Sequence, residues 1–341
     1  MASPMTSSTH ARNNGVQSAH TANGGIRTTQ AVVIPRAGTL GLQTVTLAEP
    51  GPRAVMVETV FTSVSAGTER MLLAGQLPHP MLEFPVVPGY ETVGRVVEVG
   101  ADVAPEWLGR WVFLGGAHCF EGVNPAWGGQ SAMLFAKVDR VVPLDNVEPV
   151  HGVLLSLAAT ALHGVDRLNV TAGQRILVLG QGPVGQIAAR LAAQRGAWVA
   201  VTDRVPSRLA RSQADLVINA GEDDVAKLVD GPVDGIIEAT GSMDALTQAL
   251  PALKLGGAIL LLGFYSTLQV PYMPLFLKEA TLLTAKEWAS GDLLRCRDML
   301  ADGTLEVGSL LTHRMPVAAV EAAYDIALND QDCLKLVLDW M

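Results

Sequence analysis

The stretch that decides the fold is RILVLGQGPVGQIAARLAAQRGAWVAVTD, residues 175–203. Its first five residues form an apolar strand segment that runs directly into the pattern Gly-x-Gly-x-x-Gly, and a run of good helix formers follows. A second apolar strand segment then ends in Asp203, 23 positions after Gly180. Strand, glycine-rich turn, helix, strand and terminal acid in this order are typical of a β-α-β unit that binds a dinucleotide.

Each residue of the glycine-rich turn has a chemical reason in such a site. Gly180 permits the tight turn, Gly182 lets the backbone approach a pyrophosphate, and Gly185 allows the helix to pack closely on the strand. The helix begins around Pro183 and Val184, and its first N–H groups are free to bind the same pyrophosphate. We therefore predict that all five residues hold the cofactor.

The acid at the end of the second strand bears on the choice of cofactor. Asp203 can accept hydrogen bonds from the adenosine ribose hydroxyls, and its charge repels a 2′-phosphate, so the sequence favours NAD over NADP. Arg204 beside it points the other way, because a guanidinium can stack on adenine or pair with a phosphate. Thr240, Gly241 and Gly263 follow later apolar runs and are predicted to line the cofactor at the same edge of the sheet.

The rest of the chain divides into segments with different sequence patterns. From residue 171 onwards apolar runs alternate with helical segments, which predicts a Rossmann-type, doubly wound parallel sheet and an α/β class. Residues 30–150 instead consist of short β-type runs broken by Gly and Pro, typical of a barrel or sandwich. Residues 1–28 are rich in Ser, Thr, Asn and Gly without an apolar core, and we interpret them as a disordered tail.

Composition excludes several function classes. The chain has 341 residues and a net charge of −9, from 24 basic and 33 acidic residues, which disfavours binding to nucleic acid or to anionic lipid. Its longest apolar runs fall far below the roughly 18 to 20 residues of a membrane helix, so no stable membrane insertion is expected. Cys119, Cys296 and Cys333 are odd in number and far apart, which indicates a reducing cytoplasm and no disulfide framework.

Four motifs occur in the order seen in medium-chain dehydrogenases/reductases, which the chain resembles over about residues 29–341. They are SAGTER (65–70), PVVPGYETVGRVVEVG (85–100), ALHGV (161–165) and ILVLGQGPVGQIAARLAAQRGA (176–197). The resemblance implies a GroES-like β-barrel catalytic domain over 29–150, completed by about 309–341, and a dinucleotide-binding domain over 151–308. It also implies a homodimer formed through edge strands near AILLLGF (258–264).

The chain departs from the zinc-dependent members of that superfamily. Where they carry a cysteine, a histidine and a third Cys or Glu ligand, the matching residues here are Ala66, Tyr90 and Ser156. Alanine cannot bind a metal and tyrosine rarely does, and a four-cysteine structural zinc site is also missing. We therefore expect no zinc.

A finer resemblance is to the 3-hydroxyethyl bacteriochlorophyllide a dehydrogenases of bacteriochlorophyll biosynthesis. It is carried by SAGTER, PVVPGYETVGRV, FLGGAHCFEGV (113–123) and WGGQSAMLFAKVDRVVPLD (127–145). That family resemblance implies NAD-dependent oxidation of the pigment's 3-(1-hydroxyethyl) group to 3-acetyl, with a chlorin as substrate.

Without zinc, protein groups must handle the substrate's hydroxyl proton. Tyr90 could hydrogen-bond the reacting oxygen or, with a lowered pKa, act as base. Thr68 could pass a proton, and Glu69 could receive it or hold Arg70 or Lys137 in place. Another candidate is His118, as base or as ligand to the magnesium of a chlorin. A buried acid such as Glu91 is instead expected to pair with a basic partner.

A macrocycle also requires a wide apolar cleft. The candidate lining residues are Met81, Leu82, Phe84, Phe120, Trp127, Tyr265, Tyr272 and Met273. Two other functions fit the same motifs. One is a zinc-free, NADPH-dependent enoyl or quinone reductase, against which Asp203 argues, and the other is a non-catalytic dinucleotide-binding protein.

Overall fold

The computed structural model describes residues 26–77 and 83–341. Its first part is mostly β-structure with one helix. The elements of this part are β1 (Thr28–Arg36), β2 (Thr39–Leu47), β3 (Ala54–Val64), α1 (Ala66–Leu73), β4 (Val86–Val87), β5 (Thr92–Val99), β6 (Trp111–Leu114), β7 (Phe120–Glu121), β8 (Asn124–Pro125), β9 (Met133–Lys137) and β10 (Val141–Pro143).

The second part alternates helices and strands and ends in a short return segment. Its elements are α2 (Leu155–Arg167), β11 (Arg175–Leu179), α3 (Pro183–Gln194), β12 (Trp198–Asp203), α4 (Pro206–Leu209), β13 (Leu216–Asn219), α5 (Val225–Leu228), β14 (Val233–Glu238), α6 (Met243–Ala249), β15 (Leu253–Leu261), α7 (Tyr272–Leu277), β16 (Thr281–Thr284), α8 (Asp292–Ala301), β17 (His313–Pro316), α9 (Val320–Asn329) and β18 (Leu336–Asp339).

Six of these strands form one parallel sheet in the order β13-β12-β11-β14-β15-β16. Strands β11, β12 and β14 are buried along most of their length, as in parallel sheets that helices cover on both faces. The strand order reverses between β11 and β14, and ligands of doubly wound folds bind at such a reversal. The predicted Rossmann-type sheet is therefore confirmed.

The remaining strands form two sheets of a β-barrel. One has the order β7-β2-β1-β4-β8, and the other has the order β10-β6-β5-β3-β18-β17, with β9 also paired to β3. The last strand of the chain, β18, runs antiparallel to β3, with Leu336 opposite Val64. The C-terminal segment thus returns from the parallel sheet and becomes an inner strand of the barrel.

The predicted disordered tail extended too far. Strand β1 begins at Thr28, and the Arg27 guanidinium forms an ion pair of 2.8 Å with Glu98 of β5, so these residues belong to the barrel. Residues 1–25, which contain the rest of the predicted tail, lie outside the described residues. Within the part that the structure describes, no helix is both long and apolar enough to cross a bilayer.

Candidate active site

The glycine-rich turn lies at the carboxyl end of β11, where the strand order reverses. Gly180 has a φ of +89° and a Cβ there would lie 2.8 Å from the Thr240 side chain. A Cβ on Gly185 would lie 1.9 Å from the Gly180 carbonyl oxygen, so helix α3 can start this close only with glycine. Around Gly182, in contrast, the space is open. Helix α3 begins at Pro183 without a side-chain cap, which leaves its N–H groups for an anion.

Asp203 ends β12 and is fixed by backbone donors. Its carboxylate accepts the N–H of Gln181 at 2.6 Å, of Arg204 at 2.7 Å and of Val205 at 2.9 Å. Each carboxylate oxygen can accept more than one hydrogen bond, so the group can still bind ribose hydroxyls. The Arg204 side chain is exposed and forms no ion pair with any described residue. This geometry is compatible with NAD and with NADP.

Thr240, Gly241 and Gly263 meet around a carboxylate that sequence reasoning missed. Glu238 is fully buried at the end of β14 and accepts the N–H of Thr240 at 2.7 Å and of Gly241 at 3.2 Å. A Cβ on Gly263 would lie 2.7 Å from the Glu238 carboxylate. Burial raises the pKa of Glu238 above its ordinary value. An acid inside the otherwise apolar run GIIEATG was the signal for it.

A cluster of three hydroxyl groups forms around Tyr90. The Tyr90 hydroxyl hydrogen-bonds the Ser65 hydroxyl and lies 3.1 Å from the Thr68 hydroxyl oxygen. Its ring contacts Trp127 edge to face, with centroids 5.0 Å apart. Ser65, the first residue of the SAGTER motif, was missed as a site residue although it directly precedes α1. The cluster places several exchangeable protons at one point.

Tyr90 is a poor base in this environment. Burial is the main cause that raises its pKa above the ordinary value, and the negative charge of Glu91 raises it further. Hydrogen bonds from Ser65 and Thr68 oppose the shift but are outweighed. The lowered pKa required for a tyrosinate base is therefore not what the structure provides, and Tyr90 remains a neutral phenol that donates and accepts hydrogen bonds.

Glu69 is buried in the first turn of α1, one residue beyond Thr68. Its carboxylate accepts the Ser65 N–H at 3.0 Å, the Gln130 amide at 3.1 Å and the Tyr324 hydroxyl. Burial raises its pKa to about 7, against the opposing effect of the Tyr324 hydrogen bond. Gln130 and Tyr324 are distant in sequence and were not predicted.

The predicted partners of Glu69 were wrong. Arg70 donates instead to the backbone carbonyl of Leu328, and Lys137 lies in a cleft beside His118. Glu69 points into the barrel towards α9. Arg70, the next residue of the same helix, points to a different face, because successive helical residues do not share a face.

His118 does not join the Tyr90 cluster. It is exposed and lines a cleft with Arg53 and Ala54, at the beginning of β3. Ser65, which holds Tyr90, follows the opposite end of the same eleven-residue strand. Barrel closure thus separates two loops whose proximity could not be judged from sequence.

Among the predicted apolar lining residues, Trp127 is the one whose ring contacts Tyr90. Tyr272 and Met273 lie on α7, which has no buried residue, and are 69% and 54% exposed. Phe120 packs against a barrel cluster around Cys119. Met81 and Leu82 lie outside the described residues. The structure therefore does not gather these side chains into one lining.

The residues at the expected zinc position do not fit the metal. Ala66 has no donor atom, the Tyr90 hydroxyl is engaged by two neighbouring hydroxyls, and the Ser156 hydroxyl is buried in α2. Glu91 is paired with Lys335, as expected for a buried acid. In the described ranges no group of three His, Cys, Asp or Glu side chains is placed to bind a metal ion. The donor chemistry therefore disagrees with a zinc site.

A β-barrel that carries a hydroxyl cluster, joined to a parallel sheet with a dinucleotide cradle, defines a dehydrogenase or reductase of two domains. The family models agree, since residues 51–146 match the alcohol dehydrogenase GroES-like domain and residues 183–292 match the zinc-binding dehydrogenase family. The chain belongs to the medium-chain dehydrogenase/reductase superfamily and is an oxidoreductase. Both the predicted resemblance and the predicted GroES-like fold are confirmed.

Two relatives share the same name and activity. They are 2-desacetyl-2-hydroxyethyl bacteriochlorophyllide A dehydrogenases from Cereibacter sphaeroides and Rhodobacter capsulatus, each 34% identical over 92% of this chain and 98% of the relative. A solved zinc-binding dehydrogenase from Sinorhizobium meliloti, bound to NADP, has a TM-score of 0.80 at 23% identity and covers 92% of this chain and 99% of its own. The last comparison bears on the fold alone.

Proposed function

We propose that the chain oxidises the 1-hydroxyethyl group of a bacteriochlorophyllide to an acetyl group, with NAD as hydride acceptor and without zinc. The observation that carries the proposal is the hydroxyl cluster of Tyr90, Ser65 and Thr68, which stands where zinc enzymes of the superfamily place their ligands. The two 34% identical relatives support the pigment as substrate and a role in bacteriochlorophyll biosynthesis.

The reaction removes a hydride from the carbinol carbon and a proton from its oxygen. NAD, when bound, takes the hydride, so the chain must accept the proton. A neutral Tyr90 can take the substrate's hydroxyl proton at its oxygen while it passes its own proton to the hydroxyl of Ser65 or Thr68, and that hydroxyl in turn releases its proton to a water. Glu69 is our proposed final acceptor of the proton from that water, because its carboxylate lies against the Ser65 backbone and its pKa of about 7 permits it to take up a proton near neutral pH.

The proposed cofactor contacts follow the geometry of the parallel sheet. The pyrophosphate binds at the turn and helix start formed by Gly180, Gly182, Pro183, Val184 and Gly185. The adenosine ribose binds at Asp203 and Arg204, while Thr240, Gly241 and Gly263 line the cofactor beyond β14 and β15. The carboxylate of Asp203 favours NAD because it repels a 2′-phosphate.

We also propose a homodimer in the cytoplasm. Strand β16 lies at the edge of the six-stranded sheet, and next to it α7 exposes an apolar surface. Its side chains, each more than half exposed, are Phe264, Leu268, Tyr272, Met273, Phe276 and Leu277. Exposed apolar side chains from one short segment beside a sheet edge support contact with a second copy. The three cysteines are free, as in a reducing compartment.

The test is an absorption time course with a 3-hydroxyethyl chlorophyllide and NAD, in the presence of a metal chelator. A red shift of the pigment band with growth of the NADH band supports zinc-free oxidation. Absence of both changes, with NAD and NADP and without chelator, refutes the proposal and favours the enoyl or quinone reductase. Cofactor binding without turnover of any substrate favours the non-catalytic protein.

A matched pair of variants tests the hydroxyl cluster. Tyr90→Phe should lower kcat about 100-fold or more, since it removes the group that moves the proton. Tyr272→Phe removes an equivalent hydroxyl from exposed α7 and should leave kcat unchanged. Equal activity in both variants would remove Tyr90 from the mechanism. Stoichiometric zinc in the purified active protein would refute the proposal that the oxidation needs no zinc.

A further inference from the structure

The cleft that contains His118 has a composition unlike that of the rest of the molecule. It has a volume of 420 Å³ and is lined by Arg53, His118, Lys137 and Arg140. Its apolar lining residues are Pro52, Ala54, Ala117, Phe135 and Ala136. The chain as a whole has a net charge of −9, whereas this cleft is lined by three permanently positive side chains and a histidine.

Acidic side chains neutralise little of this charge. Asp139 lies 3.7 Å from the Arg53 guanidinium, and both side chains are more than half exposed. Lys137 and Arg140 form no ion pair with any described residue, and the segments outside the described ranges, 1–25 and 78–82, contain no Asp or Glu. The cleft lining thus contains three permanent cations and no acidic residue, and among the described residues Asp139 is the one acid within ion-pair distance of them.

The cations are held on a rigid backbone. Lys137 is opposite Ala54 in the β3–β9 ladder, and the Val138 N–H donates to the Arg53 carbonyl at 3.0 Å. On the other side of the cleft, the Ala117 N–H donates to the Trp127 carbonyl at 2.7 Å. The backbone therefore keeps the bases of these side chains close together, and an anion bound between their charged groups would relieve their repulsion.

We infer that this cleft is a second binding site, for a small organic anion that carries a phosphate or carboxylate on an apolar or aromatic body. Arg and Lys provide charge-assisted donors for the anionic group, and Phe135 with its apolar neighbours contacts the body. The volume lies within the range of roughly 300 to 1,000 Å³ typical of small-molecule sites. The site stands at the opposite end of β3 from the Tyr90 cluster, and the inference is independent of the proposed reaction.

The test is calorimetric titration at low salt with inorganic phosphate, phenyl phosphate and benzoate. Saturating NAD or NADP is present throughout, so that the pyrophosphate site is filled. We expect phenyl phosphate or benzoate to bind at a ratio of one to one and more tightly than inorganic phosphate, because only these two offer an aromatic body to Phe135. The tighter of the two identifies the anionic group.

Two double variants of equal charge decide whether binding occurs at this cleft. Lys137→Gln with Arg140→Gln should weaken binding at least ten-fold. Lys227→Gln with Lys286→Gln, at side chains 82% and 88% exposed elsewhere, should leave it unchanged. Circular dichroism checks that each variant is folded. Equal affinity in the two double variants overturns the inference, and so does the absence of binding by all three probes.

Discussion

The buried ion pair between Lys335 and Glu91 offers a quantitative test of how the segment that carries Tyr90 is held. Lys335 precedes β18, and Glu91 directly follows Tyr90. Their side chains are 2% and 0% exposed. The Ser63 hydroxyl donates to the same carboxylate at 2.5 Å, whereas the second oxygen of Glu91 has no partner among the described residues. Lys335 is therefore the one cation that compensates this buried charge.

Lys335→Met should destabilise the protein strongly. Methionine has a similar length and fills the same space, so the loss is chiefly electrostatic. Removal of one member of a buried pair costs about 3 to 5 kcal/mol, because it leaves an uncompensated charge in the interior. Removal of both charges in Lys335→Met with Glu91→Gln should cost less than about 2 kcal/mol, since a neutral amide can keep the Ser63 hydrogen bond.

The measurement is the free energy of unfolding from urea titration at pH 7, followed by circular dichroism, for the parent and the variants. Glu91→Gln alone completes the cycle and gives the coupling energy of the pair. The reasoning is refuted if Lys335→Met lies within about 1 kcal/mol of the parent, or if the double variant is as unstable as Lys335→Met.

Three further outcomes are expected. The pKa of Glu69 is about 7 in the folded chain and 4.5 ordinarily. Between pH 4.5 and pH 7 the folded chain therefore holds a proton that the unfolded chain has lost. The free energy of unfolding should fall by about 3 kcal/mol as pH rises from 4.5 through 7. Urea titrations from pH 5 to 8 should show this fall in the parent, and the same fall in Glu69→Gln would contradict it. Asp203→Ala should raise the ratio of kcat/KM for NADP over NAD at least ten-fold, and an unchanged ratio would contradict the ribose contact. In sedimentation analysis, Phe276→Glu should halve the mass while Leu108→Glu, also exposed, should not; a dimer that persists in Phe276→Glu rules out this interface.

The geometry of the glycine-rich turn could be predicted from sequence because its parts are local. Gly180, Gly185 and Asp203 belong to one β-α-β unit, and short-range geometry fixes why each residue type is required. The buried carboxylate of Glu238 could also have been predicted from sequence, because an acidic residue in an apolar strand is unusual.

The Tyr90 cluster was predictable only in part. Tyr90 and Thr68 lie in motifs, but the residues that hold Glu69 come from far along the chain, Tyr324 being 255 positions away. The sign of the Tyr90 pKa shift depends on burial, which the folded barrel determines. The position of His118 depends on how the barrel closes. Neither this position nor the direction of the Tyr90 pKa shift could therefore be predicted from local sequence patterns.

The way the barrel is closed has a consequence for biosynthesis. Strand β18 lies inside the barrel sheet, and the Trp340 indole N–H, one residue from the end of the chain, donates to the Thr62 hydroxyl at 2.9 Å. Before β18 is synthesised, residues 61–64 of β3 therefore lack their partner strand, whereas residues 54–58 on the same side can already pair with β9. Loss of β18 would remove an interior strand of this sheet rather than an edge strand. The barrel sheet can therefore become complete only after β18 has been synthesised.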